Sequence, residues 1–408
     1  MKQKMYDVTI VGAGPAGCTT ALQLSNKGLK VAILEKERFP RDKICGDALS
    51  ADVINQIYRI DDSLAKNFNQ LKTKKASNGV RFFAPNHQQL DIDFVNNNHK
   101  EAAGFIVKRI DFDNFYFNQI KDINNIDIYE NYKVTDISKE EDGVTIITSE
   151  QSFKTRIVVG ADGANSIINR KLTTNKLEKK HHCAGLRQYF ENVSGFHPNN
   201  HIELHFYKDI LPGYFWIFPL PNNQANVGLG MLSSEVSKQN INLKEKLKDI
   251  VNNHPNIKER FKNAKPIENI QGFGLPIGSK KKQLSGDHFL LLGDAANLID
   301  PFTGEGIGNA IRSGRIAAEH IAKAFNQNQF SAKFNQQYDK EIYRAMWKEL
   351  RISRSLQMLL NYPRIFNFVV NKANKNDSVR MLLTSMLDNV DLKRELLKPS
   401  FYIKLFFN

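Results

Sequence analysis

Residues 6–17 read YDVTIVGAGPAG. Tyr6 to Val11 form an apolar, β-branched run of strand length, and Gly12, Gly14 and Gly17 follow without a break. In a strand–turn–helix unit the first glycine permits a tight turn. The second brings backbone against a pyrophosphate, and the third lets the helix pack on the sheet. Pro15 and Ala16 open the expected helix, which runs to a C-cap at Gly28. KVAIL (30–34) is a second strand that delivers Glu35, 18 residues past Gly17, with Lys36 beside it. A carboxylate there accepts the hydroxyls of an adenosine ribose. Strand, glycines, helix, strand and acid together predict a dinucleotide-binding unit.

Two later stretches decide which dinucleotide. TRIVVGADGANSIINR (155–170) is a strand running into Asp162 and Gly163. DHFLLLGDAANLIDPFTGEGIGNAIRSG (287–314) is another, ending in Gly293-Asp294 and continuing through Pro301, Gly304, Gly306 and Ile307 into a helix. A nicotinamide site needs neither the second acid nor the second glycine-rich helix start. A flavin needs both. Asp294 can accept hydroxyls of the ribityl chain, and the positive end of the helix near Gly306 can face the pyrimidine edge of the ring.

These three segments resemble the signature motifs of the FAD-dependent oxidoreductases shaped like para-hydroxybenzoate hydroxylase. VKRIDFDNF (107–115) is similar to the segment in which that superfamily sets an arginine on the cofactor, here Arg109. NYKVTDI (131–137) is similar to the strand whose backbone meets the adenine, near Val134. FPRDKICGD (39–47) and GYFWIFPL (213–220) resemble the P-R-x-K-x-C-G and Y-x-W-x-F-P motifs of the geranylgeranyl reductase family. That resemblance puts Arg41, Cys45, Gly46 and Ala48 beside the cofactor and Tyr214, Trp216, Phe218 and Pro219 around the substrate. It implies reduction of carbon–carbon double bonds in polyprenyl lipids or quinones by reduced FAD. No second nucleotide fold appears, so NAD(P)H or another donor, such as an iron–sulfur protein, is expected to bind transiently. The pattern departs at Asp47, where such proteins often carry glycine. An FAD monooxygenase or halogenase on the same scaffold is the alternative, although a halogenase is expected to carry W-x-W-x-I-P where this chain has YFWIFP.

Read from the residues alone, the same stretches carry chemistry. Alternation in YFWIFP sets Tyr214, Trp216 and Phe218 on one face and Phe215 and Ile217 on the other, so one face can pack the core while the other lines a cavity. In the fold that the resemblance implies, the stretch after the second strand passes along the cofactor, so Arg41 and Lys43 are expected to balance FAD phosphates or the diphosphate of a prenyl substrate, and Gly46 to let backbone approach the ring. Tyr214, Trp216 and Cys45 are the candidate catalytic residues. Cys45 is expected to be favoured as thiolate by its cationic neighbours.

The 408 residues are 41% hydrophobic and 25% charged, an ordinary globular balance with room for a sizeable core. The expected fold is α/β: a discontinuous, Rossmann-like FAD domain (1–70, 101–175, 276–330), a β-rich substrate domain (71–100, 176–275) and a helical C-terminal region (331–408). Cys18, Cys45 and Cys183 cannot build a disulfide framework and lack metal-ligand spacing. His181, His182 and Cys183 read as strand residues, so no metal is expected. The start, MKQKMYDVTIVGAG, lacks the cleavage site of a secretory signal, and no run approaches the ~18 apolar residues of a membrane span. A cytoplasmic location is expected.

The net charge of +14 asks for an anionic partner. From Lys340 onward there are 13 Lys/Arg against 6 Asp/Glu, interleaved with apolar stripes such as Val379, Leu382, Leu383, Met386 and Leu387. The chain ends FYIKLFFN, with Phe401, Tyr402, Phe406 and Phe407. Pro363 and Pro399 are expected to interrupt these helices. No nucleic-acid motif accompanies the charge, so the tail is expected to lie on an anionic membrane surface.

Overall fold

A computed structural model describes residues 4–94, 104–377 and 379–381. Lys4–Val11 lies at the centre of the first sheet, parallel to Val31–Leu34 on one side and Ser152–Gly160 on the other. Ile126–Tyr129 and Phe289–Leu291 extend it outward, also parallel. Such strands are covered on both faces, which is why they read as nearly unbroken apolar runs. Val134–Glu140 and Gly143–Thr148 add an antiparallel meander onto Ser152–Gly160.

The crossover helix spans Pro15–Leu24 and stops short of Gly28. Its last turn is taken up locally: Ser25 Oγ donates to Leu22 O at 2.7 Å and Lys27 N to Leu24 O at 3.0 Å. Gly28 instead serves the following turn, with φ of +69°. The helix is covered by Ile307–Gln327, and the two approach closely at Gly314, where a Cβ would lie 2.6 Å from Ala16 O.

A second sheet follows the order Lys265–Pro266, His182–Glu191, Ala225–Leu232, Gly213–Pro219, Ile202–His205, Gly79–Phe83 and Gln89–Asp93. Gln271–Pro276 also pairs with His182–Glu191. Phe215 and Ile217 are fully buried against Leu247 and Ile250 of the helix Leu243–Asn253, whereas Trp216 and Phe218 belong to a separate apolar cluster on the opposite face. The period-2 reading of YFWIFP is therefore realised, one face in the core and one toward the cavity described below. Three short strands, Ala48–Leu49, Gly104–Ile106 and Lys75–Ser77, form a small sheet of their own.

Ala332–Leu359 and Pro363–Lys375 follow as helices. Pro363 begins the second of them; at the first helical position its missing N–H costs nothing and its fixed φ suits the turn. Among the described residues no helix is long and apolar enough to cross a membrane. Leu382, Leu383, Met386, Leu387, Pro399 and the aromatics of the final octapeptide lie outside the described residues.

Candidate active site

One connected cavity of about 1720 Å³ runs from the carboxyl ends of the parallel strands to the aromatic face of the second sheet. Every predicted site residue lines it except Gly17 and Pro219. Gly17 works behind the wall: a Cβ there would meet Gly12 O at 2.0 Å, so it sets the packing of helix on strand. Pro219 is buried where its strand ends beside Ala225.

The phosphate end is built from the first strand–helix turn. Gly12 has φ of +100°, and a Cβ there would clash with Ala161 O at 2.5 Å. Gly14 is different. The nearest heavy atom to its notional Cβ is Arg41 Nη2 at 3.8 Å, so its backbone faces open space above the helix that Pro15 and Ala16 begin. Glu35 is held by Ala13 N at 2.9 Å and Glu37 N at 3.1 Å, with Lys36 beside it and Val134 further along the cavity wall. Asp162 accepts from Ile167 N at 2.7 Å through Oδ2, while its buried Oδ1 has no partner among the described residues. Burial raises the pKa of this carboxyl. An open glycine cradle at a helix N-terminus and an orphaned carboxylate oxygen on the same wall are what a pyrophosphate and a polyol need. The residues present fit FAD.

Asp294 and its loop form the next segment. Lys43 Nζ lies 2.8 Å from Asp294 Oδ2, so the acid expected to serve hydroxyls is paired with a lysine of the cysteine loop. Asp300 Oδ1 accepts from Phe302 N and Thr303 N, both at 2.9 Å, and folds the Pro301–Gly306 loop back on itself. Gly304 takes φ of +72° there. Glu305 Oε1 accepts from Gly308 N at 2.6 Å in the first turn of the helix that opens at Ile307. Burial and the neighbouring Asp52 push the Glu305 carboxyl up to about 7.

Arg109 and Arg41 meet at an acid that the sequence reading missed. Asp113 is fully buried. It accepts Nε and Nη2 of Arg109, each at 2.7 Å, and Nη1 of Arg41 at 2.5 Å. Burial alone would raise its pKa, yet the two guanidinium groups hold it below the usual carboxylate range. The available signal was the i,i+4 spacing of Arg109 and Asp113 on one helix.

The cysteine loop corrects one expectation. Cys45 lines the cavity beside Arg109, but burial pushes its thiol up and outweighs the cations Arg109 and Lys43, so the group is a neutral thiol and not a thiolate. Gly46 packs against Phe218, whose ring edge would stand 2.9 Å from a Cβ. Ala48 continues along the wall.

Asp47, noted in the sequence only as a departure from a motif, is fully buried at φ of +68°. It accepts from Tyr189 Oη at 2.6 Å, Asn226 Nδ2 at 2.8 Å and Arg109 N at 3.2 Å. Asn226 and Tyr189 come from strands with no sequence signal of a site.

Beyond this loop the cavity becomes apolar. Tyr214, Trp216 and Phe218 line it together with Leu204, Phe82 and Val80, which neighbouring strands set on the same face, and with Phe206 and Phe302. Tyr214 Oη donates to Thr303 O, tying the aromatic strand to the Pro301–Gly306 loop. Trp216 Nε1 donates to Asn226 Oδ1 at 2.9 Å.

The model of the FAD binding domain family matches residues 5–352. The chain is 29% identical over 405 residues to the digeranylgeranylglycerophospholipid reductase of Methanococcus vannielii, covering 97% of this chain and 95% of that protein. It is 30% identical over 363 residues to the enzyme of that name from Methanocella arvoryzae, covering 85% and 84%. Among solved structures, a geranylgeranyl bacteriochlorophyll reductase-like protein of Thermoplasma acidophilum superposes with a TM-score of 0.81 at 24% identity, covering 97% and 99%. The flavin-dependent brominase Bmp2 superposes at 0.76 with 22% identity, covering 95% of each chain. At these identities the structural likenesses establish the fold, which halogenases share. The sequence relatives go further: with its conserved-length match to two lipid reductases and an FAD-binding module over most of its length, this chain belongs to the geranylgeranyl reductase family of FAD-dependent oxidoreductases.

Proposed function

We propose that the protein saturates carbon–carbon double bonds in the polyprenyl chain of a lipid or quinone. The observation that carries this reading is the junction of two unlike halves of one cavity. A phosphate- and polyol-binding half meets an apolar slot walled by Tyr214, Trp216 and Phe218, with the Cys45–Asp47 loop between them. The slot presents aromatic faces and few polar hooks, which suits a greasy alkene.

FAD, when bound, supplies hydride transfer to the alkene. Gly12, Gly14, Pro15, Ala16 and the helix they begin hold the pyrophosphate. Glu35, with Lys36 and Val134, holds the adenosine. Asp162, Gly163 and Asp294 serve the sugar-alcohol chain, and Pro301, Gly304, Gly306 and Ile307 frame the ring. Arg41 and Arg109 supply positive charge there while bound to Asp113. Tyr214, Trp216, Phe218 and Pro219 shape the slot and keep water out. Cys45 carries a proton at its Sγ on the cavity wall, and it donates that proton to the second alkene carbon. NAD(P)H or an iron–sulfur protein supplies the electrons in a transient encounter.

A lipid substrate also calls for contact with its membrane. Met358, Tyr362 and Ile365, at the turn between the last two described helices, are exposed apolar side chains. Leu360 of the same turn lines the cavity, and Arg351 and Arg364 flank it. This supports a peripheral membrane location for the C-terminal region, with the cavity opening toward the lipid.

The test is anaerobic. FAD-loaded protein reduced with dithionite is offered geranylgeranyl lipids, and the products are weighed by mass spectrometry. A gain of two hydrogens per double bond is expected. Oxygen consumption with a product heavier by one oxygen atom would establish the monooxygenase reading instead.

A further inference from the structure

Asp47 occupies a backbone conformation that favours glycine and buries a carboxylate completely. Either feature alone is costly, so the arrangement calls for a return. Its three donors come from three different elements. Tyr189 lies on the strand His182–Glu191, Asn226 on the strand Ala225–Leu232, and Arg109 N at the start of the helix Arg109–Ile120. The Asp47 carbonyl also accepts from Val107 N at 2.9 Å.

The direction of each bond is dictated by its neighbours. Arg187 Nη1 donates to Tyr189 Oη at 2.7 Å and has no acceptor of its own, so the Tyr189 hydroxyl hydrogen must point at Asp47. Trp216 Nε1 is likewise a donor only, which fixes the Asn226 amide with its oxygen toward the indole and its nitrogen toward Asp47. That same nitrogen donates to Cys45 O at 2.7 Å. Two obligate donors, on Arg187 and Trp216, therefore start chains that both end on Asp47.

We propose that Asp47 is a positioning residue for alkene reduction, holding the Cys45 loop and the Trp216 wall at a fixed spacing across the neck of the cavity. The proposal rests on the reductase reading given above. Ionised, the carboxylate accepts all three bonds at full strength; protonation removes the charge that assists them and adds an O–H that needs an acceptor of its own. Burial raises this carboxyl to about 6, against the lowering influence of Tyr189, Asn226 and Arg187 and with Asp42 raising it further. The other charged or titratable groups packed around it are Cys45, Arg109, Lys108 over the Tyr189 ring, and Glu268 paired with Arg187. The spacing is therefore lost as pH falls through about 6.

Asp47→Asn tests this, since Asn tolerates the left-handed backbone but carries no charge and sets its amide nitrogen against at least one of the three donors. Asp47→Gly removes the carboxylate and any backbone strain together, and serves if the Asn variant does not fold. Single-turnover alkene reduction by FAD-loaded, dithionite-reduced enzyme is followed from pH 5 to 8. The wild type is expected to lose rate on the acid side with a midpoint near the titration of Asp47, at about 6. The variants are expected to bind FAD, to react about 10- to 100-fold more slowly at pH 8, and to lack that acid limb. A limb that survives in Asp47→Asn belongs to another carboxyl, such as Glu305, and overturns the proposal, as does a variant rate equal to wild type.

A second readout stands apart from the reductase reading. In a Trp347→Phe background, Trp216 emission is expected to shift across the same pH range, and the shift to vanish with Asp47→Asn. If wild type reduces no polyprenyl lipid, the reductase reading fails and the emission decides the network by itself. Emission that is indifferent to both pH and the substitution overturns it.

Discussion

Asp113 sits one helical turn after Arg109 and accepts both Nε and Nη2 of its guanidinium at 2.7 Å, then takes Arg41 on the same oxygen as Nη2. One buried anion thus holds two cations at the cavity wall. Asp113→Ala leaves buried guanidinium charge uncompensated and is expected to cost roughly 3–5 kcal/mol of stability. Urea unfolding measures it. Because the Asp113 pKa is depressed in the folded protein, its stabilisation is present at neutral pH and disappears as pH falls below the unfolded carboxylate range.

Asp294 is paired with Lys43, so the acid is already oriented toward the loop that crosses the cofactor site. Asp294→Ala is expected to weaken FAD binding by roughly 1–3 kcal/mol, the cost of an unmatched buried hydroxyl. Flavin fluorescence titration of the apoprotein provides the measurement. Wild-type affinity in the variant would remove Asp294 from the cofactor site.

For Cys45, the raised thiol changes what substitution should do. Cys45→Ala is expected to bind FAD normally and slow alkene reduction by about 10²–10⁴-fold, the range for a lost general acid. Turnover within a few-fold of wild type would assign the proton to water. Alkylation by iodoacetamide at pH 7 should be slow in either case, since little thiolate is present.

Glu305 predicts a pH dependence of the opposite sign to that of Asp113. Its folded pKa of about 7 lies above that of an unfolded glutamate, so the folded state binds the extra proton. Stability should therefore fall as pH rises from about 4.5 to about 7 and level off beyond, by at most roughly 3–4 kcal/mol. Glu305→Gln keeps an acceptor for Gly308 N and should flatten that slope. Thermal melts of the apoprotein at pH 4.5 and pH 8 compare the two.

Association with lipid is checked by co-sedimentation. Wild type is expected to pellet with anionic vesicles and leave them in high salt, as a basic, apolar surface does. Met358→Glu with Ile365→Glu should reduce the pelleted fraction without altering flavin content. Unchanged pelleting would remove this turn from the membrane contact.

The phosphate end of the site was legible because its logic is local. Gly12, Gly14, Gly17 and Glu35 follow one another within a single βαβ stretch, and chain spacing alone states their geometry. The aromatic strand was legible for a similar reason, since alternation assigns Trp216 and Phe215 to opposite faces. What escaped was everything assembled across the fold. Asp113 looked like no more than one of two acids in VKRIDFDNF, and Asn226, Tyr189 and Arg187 lie on strands whose register no local pattern reveals. The state of the Cys45 thiol was misjudged because adjacent charges are visible in a sequence and desolvation is not. The end of the first helix was misplaced because Gly28 looked like a cap, while Ser25 had already ended the helical path.

The close seat of Gly314 on Ala16 has a consequence for how the protein is made. The helix that presents the glycine cradle is covered by one nearly 300 residues later, and the central sheet is incomplete until Phe289–Leu291 joins it. A nascent chain carries its first strand–helix unit, apolar on both sides, through most of synthesis before the partners exist. Such long-range closure is slow, and flavin can be captured only after the last of it. Fragments ending before Gly314 should therefore emerge colourless and bind chaperones, however intact their glycine motif.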